Sequence, residues 1–453
     1  MNDTIQSLRR DAANIFRAGI DAADPFQAVA RSLKADAHQL EIALDLEHPE
    51  QKRVGQWSKV HLIAFGKAAC AMADAAQQII PTDCQAKPGI AVTNYENASA
   101  VDNIRVFAAG HPLPDDAGLD AAKQVAATVA QAQPQELVLV LVSGGGSALL
   151  PYPTDGVSLQ DKIKTTDLLL ASGATINQIN CVRKHLSKLK GGGLAKLAAP
   201  ADLHALILSD VLGDDLSSIA SGPTVADDSR YADAVAVLHD KALWDKIPQT
   251  VRVHLEKGCR GEIAETPKSG DPLFAHTGHT LLGSNRISVN ATLQAAQRLG
   301  YETILYDDHL CGEARGEAEK LVLAAKQRQR QGLHKATALL AGGETTVTLT
   351  GSGKGGRNQE MALAFALAAE RHGLNGDWVF LSGGTDGRDG PTDAAGGLVD
   401  PATVKLIAGA AALLDNNDAY NALKQSQDLL DTGATGTNVA DLQVLLILPT
   451  DSR

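Results

Sequence analysis

The chain carries little that would suit an oxidised, membrane-bound or nucleic-acid-binding protein. Its five cysteines in 453 residues, Cys70, Cys84, Cys181, Cys259 and Cys311, are odd in number, widely spaced and form no C-x-x-C pair. That usage excludes a disulfide scaffold or zinc ribbon and fits a reduced cytosolic protein. No apolar run approaches the ~20 residues a spanning helix needs, and the opening MNDTIQSLRRDAANIF lacks the apolar stretch of a signal peptide. Basic residues are outnumbered 53 to 41, leaving a formal net charge of −12, whereas binding a phosphate backbone needs a basic face. The acidity reads as a solubility feature. A soluble, cytoplasmic chain with no nucleic-acid or membrane partner is expected, and a homodimer stays open. Aromatic residues are scarce at 4% against 44% hydrophobic, so the interior must be built from Ala, Val, Leu and Ile, as in parallel strands covered on both faces by helices.

What the sequence does have is glycine in dense polar segments, each directly after a short apolar run. Five stand out: IAFGKAA (63–69), LVLVLVSGGGSALL (137–150), ALILSDVLGDD (205–215), TTVTLTGSGKGGRNQE (345–360) and VFLSGGTDGRDGPTD (379–393). In an open α/β sheet ligands bind at the carboxyl ends of the strands, and backbone without Cβ atoms lets amides close on phosphate oxygens. The arrangement points to a phosphorylated small molecule.

The length is too great for one core and implies two or three domains. Strand-like runs at 61–65, 89–93, 105–109, 137–142 and 204–209 alternate with Ala-rich helical stretches, the pattern of a parallel sheet. The Gly-, Pro- and charge-rich stretch 257–278 breaks the alternation, which divides the chain into a domain at 1–256, a linker at 257–278 and a second domain at 279–453. Strands are predicted there at 279–282, 302–306, 338–340, 345–349, 379–381 and 444–447. The pair 338–340 and 345–349, separated only by AGGET, is predicted as an antiparallel hairpin. The fold class is therefore α/β: two α/β/α domains with mainly parallel sheets, the second sheet mixed, and a substrate site expected in the cleft between them.

Several constellations could carry chemistry. Lys67 follows a strand through a single glycine and opens a helix, a poor place for a cation unless it shares a bound anion with the helix start; a solvated surface lysine is the plainer alternative. Ser143-Gly144-Gly145-Gly146-Ser147 places three consecutive glycines between strand and helix, more than a simple reversal needs. A serine-hydrolase elbow would need glycine where Leu149 stands. Asp210, at the tip of its strand, can accept a hydroxyl proton or hold magnesium, whereas Asp214 and Asp215 read as helix-capping acids. Gly351 to Gly356 formally matches G-x-G-x-x-G, but the next strand runs into Ser382-Gly383-Gly384 with no ribose-binding acid, and the loop is not a Walker A motif. What remains is a glycine turn, with Gly353 and Gly355 around Lys354, that brings Lys354 and Arg357 to a helix start as a cationic clamp. Thr385, Asp386, Arg388, Asp389 and Asp393 do not fit an EF-hand and read as a substrate or magnesium loop. Arg183, Lys184, His185, Lys188 and Lys190 read equally as a solvated helix face or as carboxylate and phosphate recognition. His276 and His279 lack a third ligand and read as linker residues.

Eight segments, FGKAA (65–69), GHPLPDDAG (110–118), LVSGGGSALL (141–150), INCVRKHLSKLKGGGLA (179–195), SDVLGDDLSSIASGPTV (209–225), GGETTVTLTGSGKGGRNQE (342–360), SGGTDGRDGPTDAAGG (382–397) and TGTNVADL (435–442), together resemble the class II glycerate kinase family, whose C-terminal part is called MOFRL. The resemblance covers nearly the whole chain in order. It implies a Rossmann-like N-terminal domain and a MOFRL-type C-terminal domain, ATP and Mg2+, and phosphorylation of D-glycerate at the 2-hydroxyl. Matched residue by residue, it implies that Lys67, Asp210 and Arg357 are catalytic, and that Ser143, Gly144, Gly145, Gly146, Ser147, Gly353, Lys354 and Gly355 receive nucleotide phosphates. His111, Arg183, Lys184, Asn358, Glu360 and Asp386 are expected to bind substrate, and Asp210 and Asp386 to ligate the metal. Some relatives are labelled hydroxypyruvate reductase, so an NAD(P)H-dependent reductase is the competing expectation, opposed by the missing ribose acid. A catalytically silent nucleotide-sensing module is a third.

Overall fold

The computed structural model describes residues 3–36, 39–48 and 50–449. The chain divides into two compact units, one running from Pro25 to Leu282, the other joining the residues up to Asp24 to those from Gly283 onward.

The Pro25–Leu282 unit is organised by a six-stranded sheet in the spatial order Ile104–Ala109, Gln85–Asn94, Val60–Phe65, Leu137–Val142, Asp202–Leu208, Thr277–Gly283. The first five strands pair in parallel. Numbered by chain position the order is 3-2-1-4-5-6, so the winding reverses between Val60–Phe65 and Leu137–Val142, and ligands gather at the carboxyl ends of such a reversal. The strand LVLVLV is buried at all six positions. Leu137, Leu139 and Leu141 enter the core that holds Ala69, Ala73 and Ala76 of the helix Ala69–Ile79. Val138, Val140 and Val142 enter the opposite core with Ala122, Val125 and Val129 of the helix Asp116–Val129. Burial on both faces is why this strand is a continuous apolar run and not an alternating one. A small antiparallel sheet, Leu33–Ala35, Leu40–Ala43 and Lys52–Gly55, was not evident from sequence.

The second unit has a mixed six-stranded sheet, ordered Glu302–Glu313, Thr337–Thr346, Asp441–Ile447, Trp378–Gly384, Gly396–Val399, Leu429–Leu430. Only its first pair is parallel; the other four are antiparallel. One face is covered by the helices Asp3–Ala22 and Asn285–Arg298, the other by Ala314–Gln331 and Arg357–His372.

Three expectations are corrected. Residues 338–340 and 345–349 do not form a hairpin: Thr337–Thr346 is one continuous strand between two neighbours. Gly342 and Gly343 serve close passage and not reversal, since a Cβ on Gly343 would lie 2.0 Å from the Leu310 carbonyl oxygen. The stretch 257–278 is no linker; it completes the helix Gln249–Cys259 and leads into Thr277–Gly283, which joins the first sheet and not the second. The first 24 residues do not belong with the domain that follows them. The apolar stripe Ile5, Leu8, Ala12, Ile15, Phe16 and Ile20 packs with Val379, Leu381, Leu442 and Val444 of the mixed sheet.

Candidate functional site

In the Pro25–Leu282 unit the predicted residues assemble around the loop that follows Leu137–Val142. Gly66 takes φ +123°, a left-handed-side value natural only to glycine, and a Cβ there would strike the Ser143 carbonyl oxygen at 2.4 Å. This close approach lets the Lys67 amide donate to the Gly144 carbonyl at 2.9 Å and the Ala68 amide donate to Ser143 Oγ at 3.0 Å. Thr93 Oγ1 donates to the Lys67 carbonyl at 3.2 Å. The turns after strands 1 and 4 are thus locked together at the winding reversal.

Three of the predicted side chains converge on two consecutive glycines of that loop. A Cβ on Gly144 would lie 2.4 Å from Asp210 Oδ2, and one on Gly145, which has φ +85°, would lie 2.9 Å from the His111 ring and 3.5 Å from Lys67 Cγ. His111, Lys67 and Asp210 are all half-buried. Burial, and then the Lys67 ammonium, push the His111 imidazole below its usual value, with Glu96 pulling the other way; at neutral pH it is an uncharged hydrogen-bonding group beside a cation. A carboxylate that can take a proton, an ammonium and a neutral imidazole therefore share one small patch.

Further along the loop, Ser147 Oγ accepts from Arg183 Nη2 and from Lys190 Nζ, each at 2.6 Å, and lies 3.0 Å from Ser221 Oγ. Ser143 serves architecture, its hydroxyl holding the Ala68 amide. Lys184, expected at the substrate, is instead buried against Asp227 at 3.4 Å; that carboxylate also accepts from Ser229 and Thr266. Asp215 accepts from the amide and hydroxyl of Ser217 and the hydroxyl of Ser218, so it caps a turn and not the start of an α-helix as expected.

In the second unit Arg357 opens the helix Arg357–His372 and is gripped by two carboxylates. Its Nε and Nη2 donate to Asp441 at 2.5 and 3.0 Å, and its Nη1 donates to Glu344 at 2.8 Å. Asp441 is fully buried, and the pair holds the guanidinium in a fixed orientation. Three of its five N–H groups are so occupied, and two remain for a ligand. The glycine loop before it is moulded to the protein itself. Cβ atoms on Gly351 and Gly353 would strike Asn416 and Asp418, and one on Gly356 would strike Asp389. Lys354 has its amide on Asp418 at 2.9 Å and its ammonium 4.3 Å from the centre of the Tyr420 ring.

Asn358 and Glu360, expected to touch substrate, are buried and engaged in supporting this loop. Asn358 Oδ1 accepts from Ser382 Oγ at 2.7 Å. Glu360 joins Arg315 at 2.7 Å and accepts from Asn417 at 3.0 Å, while Asn417 Oδ1 takes the amides of Thr350 and Gly351. Of the three acids in 382–393, Asp389 accepts from the amides of Asn358 and Gln359, Asp393 accepts from Tyr420, and half-buried Asp386 accepts from the Arg388 amide. Among the described residues no group of three His, Cys, Asp or Glu side chains could hold a metal ion, and no helix is long and apolar enough to cross a membrane.

Sequence reasoning missed Lys162, Ser221, Asp441 and Glu344, and named Lys190 only as one of a run of basic residues. For Lys162 a signal was present: it falls on the stripe Leu159, Lys162, Thr165, Leu169 at helical spacing, which is the buried stripe of the helix Leu159–Ala171. Asp441 and Glu344 carried no local signal, since the sheet alone brings them to Arg357.

Comparison with known proteins identifies the family. A family described as a domain of unknown function (DUF4147) matches residues 11–256, and the MOFRL family matches residues 337–441. The chain is 40% identical to a protein of Pyrococcus horikoshii named glycerate 2-kinase, covering 97% of each. It is 39% identical to one of Thermotoga maritima named D-glycerate 2-kinase, covering 98% of this chain and 99% of that one. A protein of Agrobacterium vitis bearing a hydroxypyruvate reductase label is 39% identical, with 97% and 95% covered. The crystal structure of the Thermotoga maritima glycerate kinase superposes with a TM-score of 0.86 at 38% identity, covering 98% of this chain and all of that one. With full-length relatives at this identity, the chain belongs to the class II glycerate kinase family.

Proposed function

We propose that this protein transfers the terminal phosphoryl group of ATP to D-glycerate, forming 2-phosphoglycerate. The observation that carries the reading is the convergence of Asp210, Lys67 and His111 on Gly144 and Gly145 at the winding reversal of a parallel sheet. Phosphoryl transfer asks for alignment, charge neutralisation and a place for the hydroxyl proton, with little covalent work by the protein. Asp210 accepts the proton of the glycerate hydroxyl as that oxygen attacks phosphorus. Lys67 offsets the charge on the transferring group, and neutral His111 donates or accepts a hydrogen bond beside it. Arg357, held by Asp441 and Glu344, is assigned to the nucleotide phosphates through its two remaining N–H groups, and Lys354 to the same tail. Magnesium accompanying ATP would be held by the carboxylate of Asp210 or of Asp386 and would neutralise phosphate charge. A reduced, cytoplasmic setting suits five free cysteines.

The test is turnover with ATP and D-glycerate, read through enolase without phosphoglycerate mutase, because only the 2-phospho isomer enters enolase directly. Lys67→Ala and Arg357→Ala are each expected to lower kcat by ~10²-fold or more, with a smaller change in KM, as loss of a transition-state contact should. Near-normal turnover in either variant would remove that residue from the mechanism. Oxidation of NADH by hydroxypyruvate would instead support the reductase.

A further inference from the structure

The helices Leu159–Ala171 and Ile176–His185 and the segment after them bring Lys162, Arg183 and Lys190 close to one another, and among the described residues none of the three is paired with a carboxylate. Lys162 is 5% exposed and its Nζ has no hydrogen-bond partner among the described residues. Lys190 is 3% exposed and its Nζ reaches only neutral oxygens: Ser147 Oγ at 2.6 Å, the Ser147 carbonyl at 2.9 Å and the Ala220 carbonyl at 3.5 Å. Half-buried Arg183 donates to Ser147 Oγ, while its Nε has no partner. The contrast with their neighbours is internal to the fold: Lys184 has Asp227 and Lys188 has Asp155, so this region pairs the lysines it uses for structure. Burying several like charges without a counter-ion is costly unless an anion completes the set.

We propose that Lys162, Arg183 and Lys190, the last two sharing Ser147 and the first close to both, form the pocket for the carboxylate of the hydroxy-acid substrate; this rests on the kinase reading above. The anion has to be small, because two of the three cations are almost sealed from solvent. It has to lie near the reacting hydroxyl, because Ser147 is only three residues beyond Gly144, where Asp210 sits, a reach of at most ~10 Å. A 2-hydroxy acid meets both conditions, with its carboxylate on the carbon next to the hydroxyl. The protonation of these side chains agrees with that role. Burial, then Arg183, pulls Lys162 down to about 7, and burial, then Arg183 and Lys162, holds Lys190 well below the ordinary lysine value. An arriving carboxylate restores their charge.

Lys162→Met and Arg183→Met test the pocket, with Arg183→Lys as the charge-keeping control and thermal unfolding as the check on folding. Because Lys162 makes no hydrogen bond to lose, its Met variant should fold. The expected result is a KM for D-glycerate raised tenfold or more in both Met variants and largely recovered in Arg183→Lys, with the KM for ATP within twofold. Discrimination of D-glycerate over D-glyceraldehyde, which lacks the carboxylate, should collapse. An unchanged KM for D-glycerate in folded variants would overturn the proposal while leaving the kinase reading intact. A rise in the KM for ATP instead, or calorimetric binding of inorganic phosphate that competes with ATP and is lost in Lys162→Met, would assign the pocket to a phosphate and overturn it likewise. If the wild type shows no turnover, the kinase reading fails alone provided calorimetry finds D-glycerate binding that Lys162→Met abolishes.

Discussion

At the scale of single residues, the glycines explain both what could be read from sequence and what could not. Their density marked loops of close approach, because only residues without a Cβ admit it. What approaches them was not legible. At Gly144 and Gly145 the missing Cβ volume is filled by Asp210 and His111, whereas at Gly351, Gly353 and Gly356 it is filled by Asn416, Asp418 and Asp389. The first pair brings reactive groups together; the second set only seats a loop. Gly144→Ala is therefore expected to push the Asp210 carboxylate aside, since the new methyl would lie 2.4 Å from its Oδ2. Small displacements of a reacting group cost on the order of 10²-fold in rate. Steady-state kinetics with ATP and D-glycerate should show kcat falling by that order with an unfolding temperature close to the wild type. Equal losses of activity and stability would mean that the loop itself has collapsed.

Among the elements, strands buried on both faces were the most legible and short or edge strands the least. Leu137–Val142 declared itself as six apolar residues in a row, while Gly396–Val399 and Leu429–Leu430 are too short to show any period. The helix Arg357–His372 was legible too, but its anchor was not: buried Asp389, from another loop, takes the amides of Asn358 and Gln359 at 3.2 and 2.7 Å. Burial raises the Asp389 carboxyl to about 7; those amides and Arg357 oppose the rise, and Asp441 adds to it. A folded-state value above the ordinary 3.8 means that the native protein binds more protons than the unfolded chain between about pH 4 and 7. The contribution of Asp389 to stability is therefore full below that window and lost as pH rises through it. Asn at this position is neutral throughout. Asp389→Asn should gain on the wild type by about 1–3 kcal/mol between pH 4 and 7.5, measured as urea midpoints at the two pH values. A difference between the two proteins that stays constant with pH would show that Asp389 keeps its charge when folded.

At the scale of the whole molecule, the chain is not two consecutive domains, and the reason lies in one amphipathic helix. The opening residues MNDTIQSLRRDAANIF read as a helix, which the structure extends over Asp3–Ala22, but they give no clue to the sheet it covers, because an apolar stripe fits any apolar face. The structure adds specific contacts to the stripe. Arg9 reaches Asp400 and Asp428, each at 2.7 Å, and Phe16 lies against Gly383, whose missing Cβ makes room for the ring. Removing this helix would uncover Val379, Leu381, Leu442 and Val444, the central strands of the mixed sheet. A fragment of residues 25–282 is accordingly expected to fold alone, with one cooperative urea transition. A fragment of residues 283–449 should remain loosely packed until a peptide of residues 3–22 is added, when near-ultraviolet circular dichroism should recover. In the intact chain Phe16→Ala should destabilise only the second unit, by ~3–5 kcal/mol, with hydrogen exchange quickening in Trp378–Gly384 and unchanged in Leu137–Val142. Faster exchange in both strands would mean that the two units unfold as one, and a 283–449 fragment that folds without the peptide would reduce the N-terminal helix to a cover.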